Sequence, residues 1–237
     1  MPNNLSQLRK DLKAQAKPTK ALAALKFFKT AKGQYGYGDK FIGVTVPEQR
    51  QISKNYLHLS LNDISTLLDS PIHEERLTSL LILVAQYQRA DEKKRHDIFK
   101  FYLKKAERVN NWDLVDLSAY HIVGAHLTDN DYKILITLAR SKNLWKRRIA
   151  MVATFKHICD GKSEPTFQLA KLLFKDPEEL MHKAAGWMLR EVGKRVSRDK
   201  MEDFLCRNYQ RMPRLMLRYA IEHLSPARRK AYLEAEV

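Results

Sequence analysis

The chain has 237 residues, of which 43 are Lys or Arg and 27 are Asp or Glu, so its formal net charge is +16. A surface this basic attracts polyanions, which makes nucleic acid the first candidate partner and an anionic membrane surface the second. No stretch of about 18 apolar residues is free of charge, so we expect no spanning helix and no membrane partner. Residues 1–5 lack the charged start and apolar run of a signal peptide, and Cys159 and Cys206 are too few for a disulfide framework. These features favour a cytoplasmic protein in a reducing environment.

Apolar residues recur at helical spacing from the N-terminus onward. Leu5, Leu8, Leu12 and Ala16 predict a first helix, and Leu22, Leu25, Phe28 and Ala31 predict a second. Residues 32–40 are rich in glycine but lack the Gly-Lys-Ser/Thr ending of a phosphate-binding loop. We interpret them as an ordered connection, with contact to a ligand as the alternative.

Helix-start signals divide the rest of the chain. Pro47 is expected to open a helix that runs through Leu57, and Ser60 with Asp63 resembles a capping box. Further starts are predicted at Ser70-Pro71, at Thr128 or Asp129, at Asp176-Pro177, at Ser197 and at Ser225-Pro226.

The segments after residue 70 look like repeated helix pairs. Candidate second helices begin near His73, Asn111, Asn143 and Glu178, about 32 to 38 residues apart, which is close to the period of helical solenoids. Stacked pairs curve and expose a concave face. We therefore predict one all-α domain over residues 1–237, a curved α-solenoid whose concave face is basic and suits a duplex.

The segment from Glu178 to Arg195 carries two stripes at i, i+4, i+7 and i+11. One stripe is apolar: Met181, Ala185, Met188 and Val192. The other sets Trp187 among cations: Lys183, Arg190 and Lys194. Trp187 is either a partly buried side chain covered by charged neighbours or an aromatic wall among phosphate-binding cations.

Residues 110–120 place Trp112 and Asp116 four apart, on one face of a largely apolar helix that Asn111 or Asp113 caps. An unpaired buried carboxylate is costly. Asp116 therefore either bonds a neighbouring arginine or backbone group, or stabilises positive charge on a substrate.

Three consecutive cations, Lys146, Arg147 and Arg148, follow Trp145, which we assign to the core with Ile149 and Val152. All three cations cannot point inward, so some meet solvent or phosphate. The eight histidines form no HExxH-type pair, and there is no nucleophile elbow or dinucleotide fingerprint. We expect neither a metal nor a cofactor.

Four segments together resemble the AlkD-like DNA alkylation repair glycosylases, a family with HEAT-like repeats. The likeness covers roughly residues 20 to 200. The segments, in chain order, are residues 41–50 (FIGVTVPEQR), 112–116 (WDLVD), 143–148 (NLWKRR) and 183–191 (KAAGWMLRE).

The resemblance implies a monofunctional hydrolase that removes cationic N3- and N7-alkylated purines from duplex DNA without flipping the base into a deep pocket. It matches Asp116 to the catalytic carboxylate, Trp112 and Trp187 to the aromatic pair against the deoxyribose, and Arg148 to an arginine that holds DNA. The residues we assign to DNA binding are Arg148, Arg147, Lys146, Lys183, Arg190, Lys194, Thr45 and Pro47. The default oligomeric state is a monomer.

Two other interpretations stay open. One is a non-catalytic relative that binds unusual DNA structures, and the other is a protein-interaction solenoid, which the fold alone would permit. Asp116 together with both tryptophans favours the enzyme, and the charge of +16 disfavours the interaction scaffold. Thr45 stands where a larger polar residue is expected in the family, and the glycine-rich loop before it is longer, so the resemblance leaves the range of lesions undefined.

Overall fold

The computed structural model describes residues 4–127 and 132–236. Within these ranges the chain forms fourteen α-helices and no strand, apart from one isolated bridge between Lys40 and Ile72. The predicted all-α class is therefore confirmed. The chain divides into two compact units, Met1–Ile122 and Val123–Val237, which are described in turn.

The first unit is built around one long central helix. Its helices are α1 (Leu5–Ala14), α2 (Pro18–Phe27), α3 (Val46–Ser53), α4 (Leu61–Leu68), α5 (His73–Arg89), α6 (Glu92–Lys104) and α7 (Trp112–Asp116). Helix α5 packs against α3, α4, α6 and α7, and most of its residues are buried, including polar ones at its start. The short α7 is thereby anchored on the core of the unit.

The second unit consists of α8 (Lys133–Ala139), α9 (Leu144–Cys159), α10 (Glu164–Leu172), α11 (Glu179–Arg195), α12 (Arg198–Asn208), α13 (Arg214–Ala220) and α14 (Pro226–Glu234). Helices α8 and α9 pair, as do α10 and α11, and α11 packs between α9 and α13. Gly186 makes the approach of α13 possible, because a Cβ there would lie 2.4 Å from the carbonyl oxygen of Met216. The helix pairs predicted for this region are present.

Several predicted helix starts are confirmed by capping contacts, whereas those at Ser70-Pro71 and Asp176-Pro177 are displaced, because α5 and α11 begin at His73 and Glu179 without a side-chain cap. Asn143, Ser197 and Ser225 each accept hydrogen bonds from backbone N–H groups in the first turns of α9, α12 and α14. Ser60 and Asp63 form the expected capping box of α4. The prediction at Thr128 or Asp129 lies outside the described residues.

Two helix ends were predicted too far along the chain. Helix α2 ends at Phe27 because Phe28 leaves the helical conformation and Lys29 takes a positive φ of 50°, so Ala31 lies beyond it. Helix α3 ends at Ser53, and residues 54–56 continue as a 3₁₀ turn rather than an α-helix.

In the described residues no helix is both long and apolar enough to cross a membrane. The single domain and the concave basic face stay predictions.

Candidate nucleic-acid interface

Helix α7 presents Trp112 and Asp116 at its two ends. The three residues between them are buried, whereas Trp112 and Asp116 are each partly exposed. Asn111 begins the helix, because its side-chain oxygen accepts a hydrogen bond of 2.8 Å from the N–H of Trp112. The arrangement agrees with the predicted shared face and leaves both side chains accessible from outside the first unit.

Trp112 belongs to an aromatic cluster formed with the end of α2. Its ring stacks on Phe28 with centroids 5.3 Å apart and meets the edge of Phe27 at 5.7 Å. Phe27 is 64% exposed, which is unusual for so large an apolar side chain beside a tryptophan. Sequence reasoning counted Phe28 as one of a stripe of core residues and did not single out Phe27.

Asp116 acts electrostatically on a buried tyrosine. Burial chiefly raises the pKa of Tyr102; the hydrogen bond to Ser118 works in the opposite direction, and the charge of Asp116 adds to the rise. The Tyr102 hydroxyl is 2.8 Å from Ser118 Oγ, which itself donates to the carbonyl oxygen of Leu114. The carboxylate of Asp116 thus lies next to a packed, hydrogen-bonded part of the core.

The buried carboxylate of α7 is Asp113 rather than Asp116. Its Oδ2 lies 2.7 Å from His73 Nε2, and the other ring nitrogen of His73 lies 3.0 Å from Asp39 Oδ2. Arg76 also donates to Asp39, at 2.7 Å. Asp39 comes from the glycine-rich loop, so this loop does more than connect two helices: it supplies a charged side chain to the base of α7.

Thr45 and Pro47 stand at the start of α3. The side chain of Glu48 accepts hydrogen bonds from the N–H and hydroxyl of Thr45, at 2.8 and 2.7 Å. A hydrogen bond from Lys17, together with those from Thr45, lowers the pKa of Glu48 to about 2. Thr45 also lines a cavity of about 180 Å³ that His73 and Asp113 border, while Pro47 is exposed.

In the second unit, Trp187 lies off the buried stripe of α11, as predicted. Met181, Ala185, Met188 and Val192 are fully buried. Trp187 is partly exposed, and its ring lies against Phe155 of α9, with centroids 6.3 Å apart.

The cations at the start of α9 differ in their surroundings. The guanidinium of Arg147 donates two hydrogen bonds to Asp176, at 2.6 and 3.1 Å, and two more to the carbonyl oxygens of Ser141 and Lys142. Arg148 is only 5% exposed and donates to the carbonyl oxygen of Leu180 at 2.6 Å. Arg147 therefore ties the start of α9 to the segment before α11, and Arg148 ties it to the first turn of α11. Trp145 is buried, so its assignment to the core is confirmed.

The remaining predicted cations lie nearer the surface. Lys146 and Lys183 are partly exposed and Lys194 is exposed. Arg190 forms an ion pair with Glu222, and its other terminal nitrogen lies 3.8 Å from Glu191. Among the described residues, Lys183 and Lys194 form no ion pair, so their ammonium groups are available to an external anion.

Two findings relate the chain to known proteins. The family model described as DNA alkylation repair enzyme matches residues 8–224. A solved structure, a predicted DNA alkylation repair enzyme from Enterococcus faecalis, superimposes with a TM-score of 0.67 at 17% sequence identity and covers 90% of this chain and 98% of its own. No curated protein matches the chain significantly in sequence. At this identity the structural likeness shows a shared fold.

Proposed function

The chain belongs to the family of DNA alkylation repair enzymes, and on this premise we propose that it is a monofunctional DNA glycosylase. Its substrates are cationic N3- and N7-alkylated purines in duplex DNA, and it hydrolyses their N-glycosidic bond without flipping the base. The observation that carries the proposal is the pair of partly exposed side chains, Trp112 and Asp116, on one short and rigidly anchored helix.

The chemistry needs little acid catalysis. An alkylated purine already carries a positive charge, so it leaves as a neutral base when the bond to C1′ breaks. The sugar then gains oxocarbenium character, which the carboxylate of Asp116 stabilises while it orients a water molecule toward C1′. The water forms the new C–O bond and gives up its proton. No lysine nucleophile takes part, so the strand is not cut.

The tryptophans and cations act on the DNA around this centre. The face of Trp112 favours positive charge on the deoxyribose, and the family resemblance assigns Trp187 to the same role. The phosphate contacts fall to Lys146, Lys183 and Lys194, and to the arginines Arg147, Arg148 and Arg190, with Thr45 and Pro47 at the edge of the first unit. Arg147 and Arg148 donate hydrogen bonds to protein acceptors. We therefore propose that they fix the local shape of the surface as well as contribute positive charge to it.

The experiment is release of free base from a duplex that contains N7-methylguanine. We compare the protein with Asp116→Asn, and use Asp97→Asn, an exposed carboxylate of α6, as the matched control. We expect Asp116→Asn to slow release by about a hundredfold or more, the size typical of losing one electrostatic stabiliser, with duplex affinity retained and Asp97→Asn unchanged.

Two results would redirect the proposal. Tight binding with no release by the parent, repeated with N3-methyladenine, would make the chain a non-catalytic DNA binder. Equal release by the parent and Asp116→Asn would leave the glycosylase in place and remove Asp116 from its mechanism. We also propose that the protein is a monomer and that it acts on the nucleoid in a bacterial-type cytoplasm.

A further inference from the structure

A buried imidazole lies directly behind the candidate site. The ring of His73 is 2% exposed, and each of its two nitrogens faces a carboxylate, Asp39 on one side and Asp113 on the other. Only the protonated ring can donate from both nitrogens at once. The geometry therefore selects an imidazolium.

The charges around this ring balance. Asp39 and Asp113 offset His73 and Arg76, so the buried group of four carries no net charge. Burial alone would lower the pKa of His73, but the charge of Asp113 and the hydrogen bonds that His73 donates to Asp113 and Asp39 raise it to about 9.

Two other charged groups lie near this group of four. Glu74, the next residue of α5, accepts the backbone N–H groups of Ile42 and Gly43. Lys20 of α2 borders the adjacent cavity. Deprotonation of His73 would therefore leave two buried carboxylates with Arg76 alone, which is an unfavourable arrangement.

The ring also forms part of an aromatic stack that ends at Trp112. Phe41 and Phe28 lie on His73 with centroids 4.6 and 4.9 Å away, and Phe28 in turn stacks on Trp112. A cation against aromatic faces is stabilised by the ring quadrupole. The orientation of the Trp112 indole is thus coupled to His73 through one intervening ring.

The same charged group holds the backbone at the start of α7. Asp39 accepts a hydrogen bond from the side chain of Asn111, whose oxygen caps Trp112. Asp113, which bonds His73 through one oxygen, accepts the N–H of Leu114 with the other. Because α7 has only five residues, a shift at its start reaches Asp116 with little attenuation.

We propose that His73 is a positioning residue, which sets the indole of Trp112 and, through α7, the carboxylate of Asp116. The inference about Asp116 rests on the proposed glycosylase function. The inference about Trp112 does not, since it concerns the protein alone. His73 touches no reacting atom, so its loss affects the catalytic step rather than the affinity for DNA.

The first measurement needs no DNA. Tryptophan emission is recorded from pH 7 to 10 for the protein and for Trp112→Phe, and the difference isolates Trp112. We expect a transition centred at about pH 9, where His73 loses its proton, and we expect His73→Gln to abolish it. His96→Phe, at an exposed histidine of α6, should leave the transition in place.

The second measurement is single-turnover release of N7-methylguanine at neutral pH. We expect His73→Gln to lower the rate by roughly tenfold to a hundredfold, the loss typical of a misplaced catalytic group, while the Kd for the duplex changes by less than about threefold. If the parent releases no base, the glycosylase fails and the emission transition alone decides the role of His73.

Two outcomes overturn the proposal: a Trp112 transition that persists unchanged in His73→Gln, or unaltered release by this variant from a parent that is active. Should His73→Gln fail to fold, Asp113→Asn replaces it. This variant keeps a hydrogen-bond partner but removes one charge, so the transition must move to lower pH. An unmoved midpoint would refute the coupling.

Discussion

At the scale of single residues, the arginines of α9 act as structural groups as well as candidate DNA contacts. Arg147 has an 11% exposed side chain and Asp176 only 3%, and the guanidinium satisfies two backbone carbonyls besides the carboxylate. Removing one partner of such a pair leaves a nearly buried charge without compensation.

We therefore expect Arg147→Met to lower the free energy of unfolding by about 3 kcal/mol, the lower end of the range for breaking a buried pair. Arg140→Met, at an exposed arginine at the end of α8, should cost less than about 0.5 kcal/mol. Urea denaturation of both variants measures the difference. Equal stability of the two would mean that the pair with Asp176 is not maintained in solution.

Single residues also show which contacts a sequence pattern can predict and which it cannot. The stripe of α11 and the position of Trp187 off that stripe follow from helical periodicity alone, and so does the shared face of Trp112 and Asp116, although the end of α7 at Asp116 does not. His73, Asp39 and Asp113 could not be grouped in this way, since 34 and 40 residues separate the contacting pairs. The only local signal was a histidine at a predicted helix start, followed by two glutamates and an arginine that the structure buries.

At the scale of elements, the contacts of the glycine-rich loop also could not be predicted from the sequence. Its composition predicted a connection, and the structure adds that Gly36 packs directly on the end of α2. A Cβ on Gly36 would lie 2.3 Å from the carbonyl oxygen of Phe28, whereas Gly33 has φ of +83° and open space around its Cα. The two glycines are required for different reasons.

We expect Gly36→Ala to destabilise the protein by about 2 kcal/mol, a typical cost of overpacking against backbone. It should also alter the emission of Trp112, since Phe28 must move. Gly33→Ala meets only the left-handed backbone penalty of about 1 kcal/mol and should leave that emission unchanged. Thermal unfolding and tryptophan emission are measured for both variants. If the emission spectrum of Gly36→Ala equals that of the parent, the loop does not influence the surroundings of Trp112.

Helix starts were predicted better than helix ends. Caps such as Ser60, Ser197 and Ser225 are local, because side chain and backbone partner lie within three residues. The end of α2 depends instead on Phe28 turning back toward Phe41 and His73. That contact is decided by tertiary packing, which outweighs the helical spacing of the apolar residues.

At the scale of the whole molecule, the net charge of +16 makes a prediction that is independent of the chemistry. Binding to undamaged duplex should weaken steeply with salt, by about a thousandfold between 50 and 200 mM if about six phosphates are contacted. Lys194→Met should reduce the slope of log K against log salt by about one.

The matched control is Lys93→Met, at an exposed lysine of α6, which should leave the slope unchanged. Fluorescence anisotropy with a labelled duplex gives all three slopes. Binding that is insensitive to salt would rule out the basic DNA-binding face and with it the phosphate contacts assigned to the lysines.

Helix α2 has one further consequence. It buries none of its side chains and carries Leu22, Leu25 and Phe27 at the surface, so little apolar contact opposes its local opening. Its amide hydrogens should therefore exchange with solvent far sooner than those of α5, whose residues are mostly buried. Since Phe27 contacts Trp112, we expect the indole to lie between a helix that opens readily and a core that does not.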